Sequence, residues 1–531
     1  MRGTVFSRLR RGVTNLLRDR RGNAFMLTAA ALVPVVGIVG SAVDIGRAYM
    51  TQLRLQQACD AGVLAGRRAM GPGTYGTDEE AEADKMFNFN FPAGRYGATD
   101  ISFASEANGT TDVDGTASAT LPTALMYIFG KSQFDLSASC TAKLEISNVD
   151  VVLVLDVTGS MAGTPLAGLK TAAKNFFTTL TSADVGDGRI RFGVVPYSST
   201  VNVGKILRTA DSSWLSTTVT LPSRQYNNKF SDINCDKKGK NCTRVYEYTY
   251  SDRTFTVGSP TVNGSLTFNT GTAGANASAN WNGCIMERWT QQFAANATAP
   301  EEGATPASSR AYDMEIDTVP TADDKTKWKV LLPITFVYNR GQVASEITTD
   351  NLSKPSSACP LEAMKLTEMD SGDQGTFDTY IDKLAAGGNT YHDVGMAWGA
   401  RFISPTGLFA DENADADGQP ISRHIVFMTD GNMDTTLQFL SHQGLEQSMP
   451  RIGSTSKGDG NARHTNRFLQ LCQRARARGI TIWVVSFGIG TNESLDTCAS
   501  SGTALLSSNT ADLNSNFQSI ARQMSKLRLA Q

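Results

Sequence analysis

Four nearly unbroken apolar runs recur along the chain, at 148–156 (NVDVVLVLD), 190–197 (IRFGVVPY), 423–430 (RHIVFMTD) and 480–488 (ITIWVVSFG). Their apolar residues are consecutive rather than alternate, and many are β-branched, the pattern of strands covered on both faces. Stretches with helical spacing separate or follow them, at 165–182, 375–386, 391–404, 461–479 and 511–527. Strands alternating with helices predict an α/β domain over 148–531, built on a doubly wound, mainly parallel sheet. Between about 205 and 350 the rhythm dissolves into short β-like pieces, and 254–286 holds no Asp, Glu, Lys or Arg. A long β-rich insertion or a flexible loop region is expected there.

The N-terminal part is patterned differently. Residues 23–43 (NAFMLTAAALVPVVGIVGSAV) carry no charged side chain, and Asp44 closes the run. Roughly 20 apolar residues cross a bilayer as a helix, so this segment reads as a transmembrane helix that tolerates Pro34. From 44 to 70 there is no proline, and Ile45, Tyr49, Leu53, Ala61, Leu64 and Ala65 recur at helical spacing. That predicts a stalk packed along this stripe. GPGTYGT at 71–77 breaks the helix. An acidic helix and alternating strands near 100–107, 113–120 and 134–145 complete a small α+β domain over 44–147.

Charge settles the orientation expected. The 531 residues sum to -2, which gives no reason to expect nucleic acid as a partner. Residues 1–23, however, hold seven Arg against Asp19 alone, a net of +6 that leaves -8 for the rest. Positive flanks stay in the cytoplasm. Residues 1–22 are therefore read as a basic cytoplasmic tail, and the bulk as exported, on a single-pass membrane protein. The alternative is a cleaved secretory signal, with Gly40-Ser41-Ala42 as the small-residue site; a signal's apolar region is shorter, about 7–15 residues. Eight cysteines (Cys59, Cys140, Cys235, Cys242, Cys284, Cys359, Cys472, Cys498) suit disulfides in an exported chain. Proximity suggests Cys235 with Cys242 and Cys472 with Cys498, while Cys284 and Cys359 are placed to staple the insertion to the sheet. No CxxC occurs, and His392, His424, His442 and His464 lie apart in the chain, so zinc is not expected.

Candidate chemistry gathers at strand ends, where open α/β sheets bind ligands. The first apolar run ends in Asp156-Val157-Thr158-Gly159-Ser160, the third in Thr429-Asp430-Gly431, and Gly387-Gly388-Asn389-Thr390 lies between two helical stretches. Asp156, Thr158 and Ser160 alternate along an extended turn, with Asp430 expected beside them and Thr390 above. Two carboxylates and three hydroxyls are hard oxygen donors, suited to Mg²⁺, or to Mn²⁺ and Ca²⁺. The competing readings are helix capping by Thr158, Ser160 or Thr390. Asp434 reads as a loop acid.

DVTGS, GGNT and MTDG resemble the metal-ion-dependent adhesion site of von Willebrand factor A domains, with Thr158 in place of that motif's middle serine. The resemblance implies a Rossmann-like sheet and Asp156, Thr158, Ser160, Thr390 and Asp430 as the metal site. Residues 20–66, together with WNGCIMER (281–288) and GGNTYHDVGMAWGARFISP (387–405), are similar to TadE/TadG-like proteins of the Tad (Flp) pilus machinery. Prepilin-type processing after Gly22 is disfavoured, since Leu27 stands where a glutamate is usual. The resemblance implies a membrane-anchored pilus-assembly protein that takes a carboxylate from a pilus or envelope partner at its metal, with no small-molecule substrate. A surface adhesin would use the same site. A phosphatase reading of Asp156 lacks the second acid two residues on, where Thr158 stands, and a basic residue to balance phosphate. No enzymatic activity is expected.

Overall fold

Helix propensity and the breaker at 71–77 are enough to account for the first element. In the computed structural model, Arg21–Met70 (α1) is one continuous helix that passes through Pro34. Residues 21–70, 75–108, 112–143, 148–182, 189–334, 357–415 and 421–530 are described; the expected basic tail lies outside them, apart from its last residues. The chain divides into two units, 1–145 and 146–531.

In the first unit, Thr77–Asn90 (α2) is followed by Thr99–Asn108 (β1), Asp112–Pro122 (β2) and Gln133–Lys143 (β3), an antiparallel sheet in the order β1-β2-β3. The stripe of α1 that packs here is not the expected one. Ile45, Tyr49, Leu53 and Leu64 are exposed, while Ala48, Leu55, Ala58, Cys59 and Val63 are buried against Val113, Ala117, Leu136 and Ala138. Small residues win because the helix lies close on the sheet. A Cβ on Gly115 would come within 2.4 Å of Val63, and one on Gly62 within 2.8 Å of Phe103. Cys59 is bonded to Cys140 across this contact.

Asp44 ties the helix to the turn between β2 and β3. Its carboxylate accepts the backbone N–H groups of Ala124, Leu125 and Met126, each at 2.8 Å. The turn then exposes Tyr127, Ile128 and Phe129. Phe129 packs over Gly37 and Leu125 over Gly40, beside the exposed apolar side chains of α1.

The second unit opens with Asn148–Asp156 (β4), Thr164–Thr181 (α3) and Ile190–Tyr197 (β5). The insertion carries Thr218–Ile233 (β6) paired with Thr243–Thr256 (β7), Gly264–Phe268 (β8) with Ala277–Trp281 (β9), and Ile285–Met286 (β10) with Lys329–Val330 (β11), all antiparallel. Met364–Glu368 (β12), Gln374–Asp382 (α4), His392–Ile403 (α5), Ile421–Thr429 (β13), Lys457–Arg476 (α6), Thr481–Phe487 (β14), Ala504–Ser507 (β15) and Thr510–Ala530 (α7) complete it. A six-stranded mixed sheet runs β12-β5-β4-β13-β14-β15. β4 pairs in parallel with β5 and β13, and β14 with β13 and β15, whereas β12 is an antiparallel edge. The expectation had neither edge strand: β12 and β15 are short and half-exposed, so they lack the apolar run that marks the inner four.

Alternation along β4 explains why it is apolar throughout. Val149, Val151, Leu153 and Leu155 face α3 and α7 through Leu169, Phe176, Phe177 and Phe517. Val152 and Val154 face α5 and α6 through Val394, Trp398, Phe468 and Leu471. The insertion joins this second core with Trp281, Ile285, Trp328 and Val330, so it is not a detached lobe. Cys284–Cys359 staples it, Cys235–Cys242 closes the β6–β7 loop, and Cys472–Cys498 links α6 to the helix after β14.

Glu287, in the WNGCIMER stretch, holds insertion and helix together. One carboxylate oxygen accepts Trp398 Nε1–H and Arg401 Nη1–H, each at 2.8 Å, and the other accepts Trp328 Nε1–H at 2.9 Å. Burial alone would raise its pKa, but the Arg401 and Arg288 charges outweigh it and hold the group ionised. Both members of the Glu287–Arg401 pair are fully buried.

Two outcomes are expected. Glu287→Leu should destabilise the second unit by about 3–5 kcal/mol in urea unfolding, because Arg401 is left as an uncompensated buried charge. Asp44→Ala should speed amide exchange at 124–126 by about 100-fold, from the loss of three bonds to a charged acceptor; exchange in the second unit should stay unchanged.

Candidate metal centre

Parallel strands end together, so the segments after β4 and β13 are neighbours by construction. Asp156, the last residue of β4, is fully buried. Its Oδ1 accepts the Thr158 N–H at 2.9 Å, and its Oδ2 accepts the Thr429 hydroxyl at 2.7 Å and the Tyr197 hydroxyl at 3.4 Å. Thr158 Oγ1 lies 3.0 Å from Ser160 Oγ, which donates to Asp430 Oδ1 at 2.7 Å. Asp156, Thr158, Ser160 and Asp430 thus form one chain of hydrogen bonds across two strand ends.

The GGNT loop closes over the turn through its backbone. Gly387 N–H donates to Val157 O at 2.8 Å, and Gly159 N–H donates to Gly388 O at 3.0 Å. Gly388 needs its freedom: φ is +86°, and a Cβ would meet Ala358, Ser198 and Ser199 within 3.0 Å. Thr390 is buried, and its backbone exchanges bonds of 3.0 and 2.9 Å with Asp434. No hydrogen bond joins its hydroxyl to the other four among the described residues. Capping does not explain these hydroxyls. α3 starts from Gly163 and α5 from Tyr391, neither with a side-chain cap. Asp434 is a loop acid, paired with Lys457 Nζ at 2.5 Å and accepting from Asn389.

Sequence reasoning missed the groups behind Asp156. Thr429 gives its one proton to Asp156, so His392, whose Nε2 lies 3.1 Å from Thr429 Oγ1, is the donor in that contact. Burial pushes the His392 pKa down to about 4, which keeps the ring neutral. Thr429 and Tyr197 carry no signal beyond ending their apolar runs.

Burial raises Asp156 to about 6 against the hydrogen bonds from Thr429 and Thr158, and the Asp430 charge adds to the rise. Asp430 is raised by burial too, with the Ser160 bond opposing. Neither carboxylate is ion-paired to a base among the described residues. An all-oxygen donor set short of positive charge fits a hard divalent cation, with Asp156, Thr158, Ser160 and Asp430 as the groups that would hold it.

Histidines that are scattered in the sequence do meet, but elsewhere. His442 and His464, which lie apart in the sequence, converge on Asp393.

Residues 22–71 match the Flp pilus-assembly TadE/G-like family. No curated protein matches the chain. Among solved structures, the pilus adhesin SpaC from Lactobacillus rhamnosus GG is similar at 11% identity and a TM-score of 0.32, covering 80% of this chain and 34% of its own. A von Willebrand factor type A protein from Catenulispora acidiphila is similar at 12% identity and a TM-score of 0.28, covering 80% and 50%. The vWF domain of the type V pili tip protein Mfa5 from Porphyromonas gingivalis stands at 11% and 0.30, covering 71% and 95%. The chain thus spans about a third of SpaC.

In metal-free buffer Asp156 should make folding pH-dependent. The folded group holds its proton to about pH 6 while the unfolded one releases it near 3.8, so the contribution of Asp156 to stability is full below 3.8 and is lost as pH rises through 6. Asp156→Asn should abolish about 3 kcal/mol of that loss, by the 1.4 kcal/mol equivalence of each pKa unit. Urea unfolding at pH 4 and pH 7.5 measures it.

Proposed function

We propose that this chain is a membrane-anchored pilus-assembly protein of TadG type. Its second unit would capture a partner's carboxylate through a divalent cation, Mg²⁺ or else Mn²⁺ or Ca²⁺, at Asp156, Thr158, Ser160, Thr390 and Asp430. One observation carries the reading: two carboxylates and two hydroxyls converge at the ends of β4 and β13 with no base to neutralise them among the described residues. A cation bound there supplies a coordination position for an incoming carboxylate. The protein's part is to hold Asp156 by Thr429 and Tyr197, to set Ser160 against Asp430, and to close the turn with the GGNT backbone.

Binding is favoured over catalysis because the position two residues after Asp156 is a hydroxyl, Thr158, turned to Ser160 rather than a second acid. Anchoring is supported by the match at 22–71 and by the exposed apolar side chains of α1, which Tyr127, Ile128 and Phe129 extend. A signal sequence meets the same description of length and composition as an anchor. In the reading proposed, the helix is retained in the bacterial inner membrane, with the arginine-rich tail cytoplasmic and the bulk periplasmic. The partner is then a pilus or envelope protein.

The test is thermal unfolding of the full chain with and without Mg²⁺, Mn²⁺ or Ca²⁺. Cation at 100 times its dissociation constant should add about 2.7 kcal/mol, and Asp156→Ala should abolish the gain. An equal gain in the variant, or none in the wild type, sinks the metal reading. Recovery of the full-length chain from the soluble periplasm sinks the anchor.

A further inference from the structure

The buried group formed by Asp393, His442 and His464 lies outside the centre described above, and none of its side chains serves that centre. Asp393 comes from the first turn of α5, His442 from the turn at 440–444, and His464 from the second turn of α6. All three are buried, and one ligand atom from each lies within 4.8 Å of the others. Asp393 Oδ2 is 2.6 Å from His464 Nδ1 and 3.3 Å from His442 Nε2, while Asp393 Oδ1 is buried with no hydrogen-bond partner.

The ring orientation of His442 is informative. Its Nδ1 lies 3.3 Å from the Ser199 carbonyl oxygen, which also accepts the His442 backbone N–H at 2.8 Å, and an N–H on Nδ1 suits that approach. In the neutral ring Nε2 then carries a lone pair, pointed at a carboxylate oxygen. Two acceptors then face each other unless a cation stands between them or the ring takes a second proton. An imidazole that donates one N–H to a backbone carbonyl and turns its other nitrogen inward is the usual arrangement around a bound metal.

The nearby arginines do not supply that charge. Arg467 donates to Asp313 at 2.5 Å, and Arg451 Nη2 donates to the Glu287 and Arg288 carbonyls. Tyr391 stands edge-on to both imidazoles, at 5.2 and 4.8 Å between ring centres, and shields the group from water.

We infer that Asp393, His442 and His464 form a second, structural metal site for a borderline divalent ion of the zinc class. Two imidazole nitrogens and one carboxylate are the three-ligand sets that zinc accepts alongside one further ligand. Ligand atoms about 2.0–2.1 Å from a tetrahedral zinc stand roughly 3.3 Å apart. The His442 contact already has that spacing, and the His464 contact must open slightly. Such a site would pin the start of α5 to α6 and to the 440–444 turn.

The experiment uses the tag-free full-length chain in detergent. It is loaded with Zn²⁺, dialysed against excess Mg²⁺ so that the other centre is not counted, and assayed for metal by mass spectrometry. About one equivalent of zinc is expected in the wild type and in Asp156→Ala, falling to background in His442→Ala and His464→Ala. Where a histidine variant fails to fold by circular dichroism, Co²⁺ added to the wild type decides. Intense visible bands of four-coordinate Co²⁺ support the site, and their absence overturns it. Zinc missing from the folded wild type, or stoichiometric in folded His442→Ala or His464→Ala, also overturns the site, and the cluster is then a hydrogen-bonded triad around an imidazolium. Because Mg²⁺ and Asp156→Ala are controls, this result is independent of the adhesion-type centre.

Discussion

A single buried anion sets the position of the helix on which the candidate centre depends. Glu287 satisfies two indole N–H groups and one guanidinium at once, and each donor would be costly to bury alone. Trp398 and Arg401 belong to α5, and Trp328 leads into β11. The insertion is therefore keyed into the helix by polar contacts with a defined geometry, whereas apolar packing alone would tolerate sliding. The loop GGNT is the N-terminal extension of α5, so any shift of that helix would move Gly388 against Gly159. This gives a physical reason for WNGCIMER and the WGAR of GGNTYHDVGMAWGARF to occur in one chain: Glu287 meets Arg401 and Trp398.

The strand-end centre is built on the opposite principle. Glu287 is surrounded by cations and donors, whereas Asp156 is buried with hydroxyl and amide partners only, and its neighbour Asp430 is also acidic. A protein selected for stability alone would not leave two partly desolvated carboxylates side by side. Such a cost is typical of sites that exist for a ligand. The contrast between these two buried acids, one neutralised by the chain and one left short of charge, is what supports the centre proposed at the strand ends.

Much of this was legible in the sequence, and the exceptions have identifiable causes. The inner four strands were marked by consecutive apolar residues because both their faces are covered; β12 and β15 were not, since an edge strand of four or five residues buries too little to leave a run. In α1 the apolar positions Tyr49 and Leu53 drew the predicted stripe, but the sheet lies so close that Gly62 and Gly115 decide the packed face. Small residues carry little hydropathy signal, so periodicity chose the wrong side. That Asp156, Thr158, Ser160 and Asp430 come together was readable from strand-end position. Thr429, Tyr197 and His392 were not, because the support of a buried carboxylate comes from residues adjacent only in space. Spacing likewise concealed the approach of His442 and His464 to Asp393, which lie 49 and 71 positions away.

The first turn of α5 ties these features into one argument. Thr390 precedes it, His392 reaches Thr429 behind Asp156, and Asp393 faces the two histidines. Consecutive residues on a helix point about 100° apart, so neighbours in the sequence address different surroundings: one the sheet, the other α6. The position of the turn is thereby fixed from both sides, and Glu287 fixes the same helix two to three turns further on. A helix held at both ends transmits a displacement instead of absorbing it. The GGNT loop, the histidine behind Asp156 and the Glu287 contacts therefore share one helix, so the strand-end turn and the insertion take their positions from the same element.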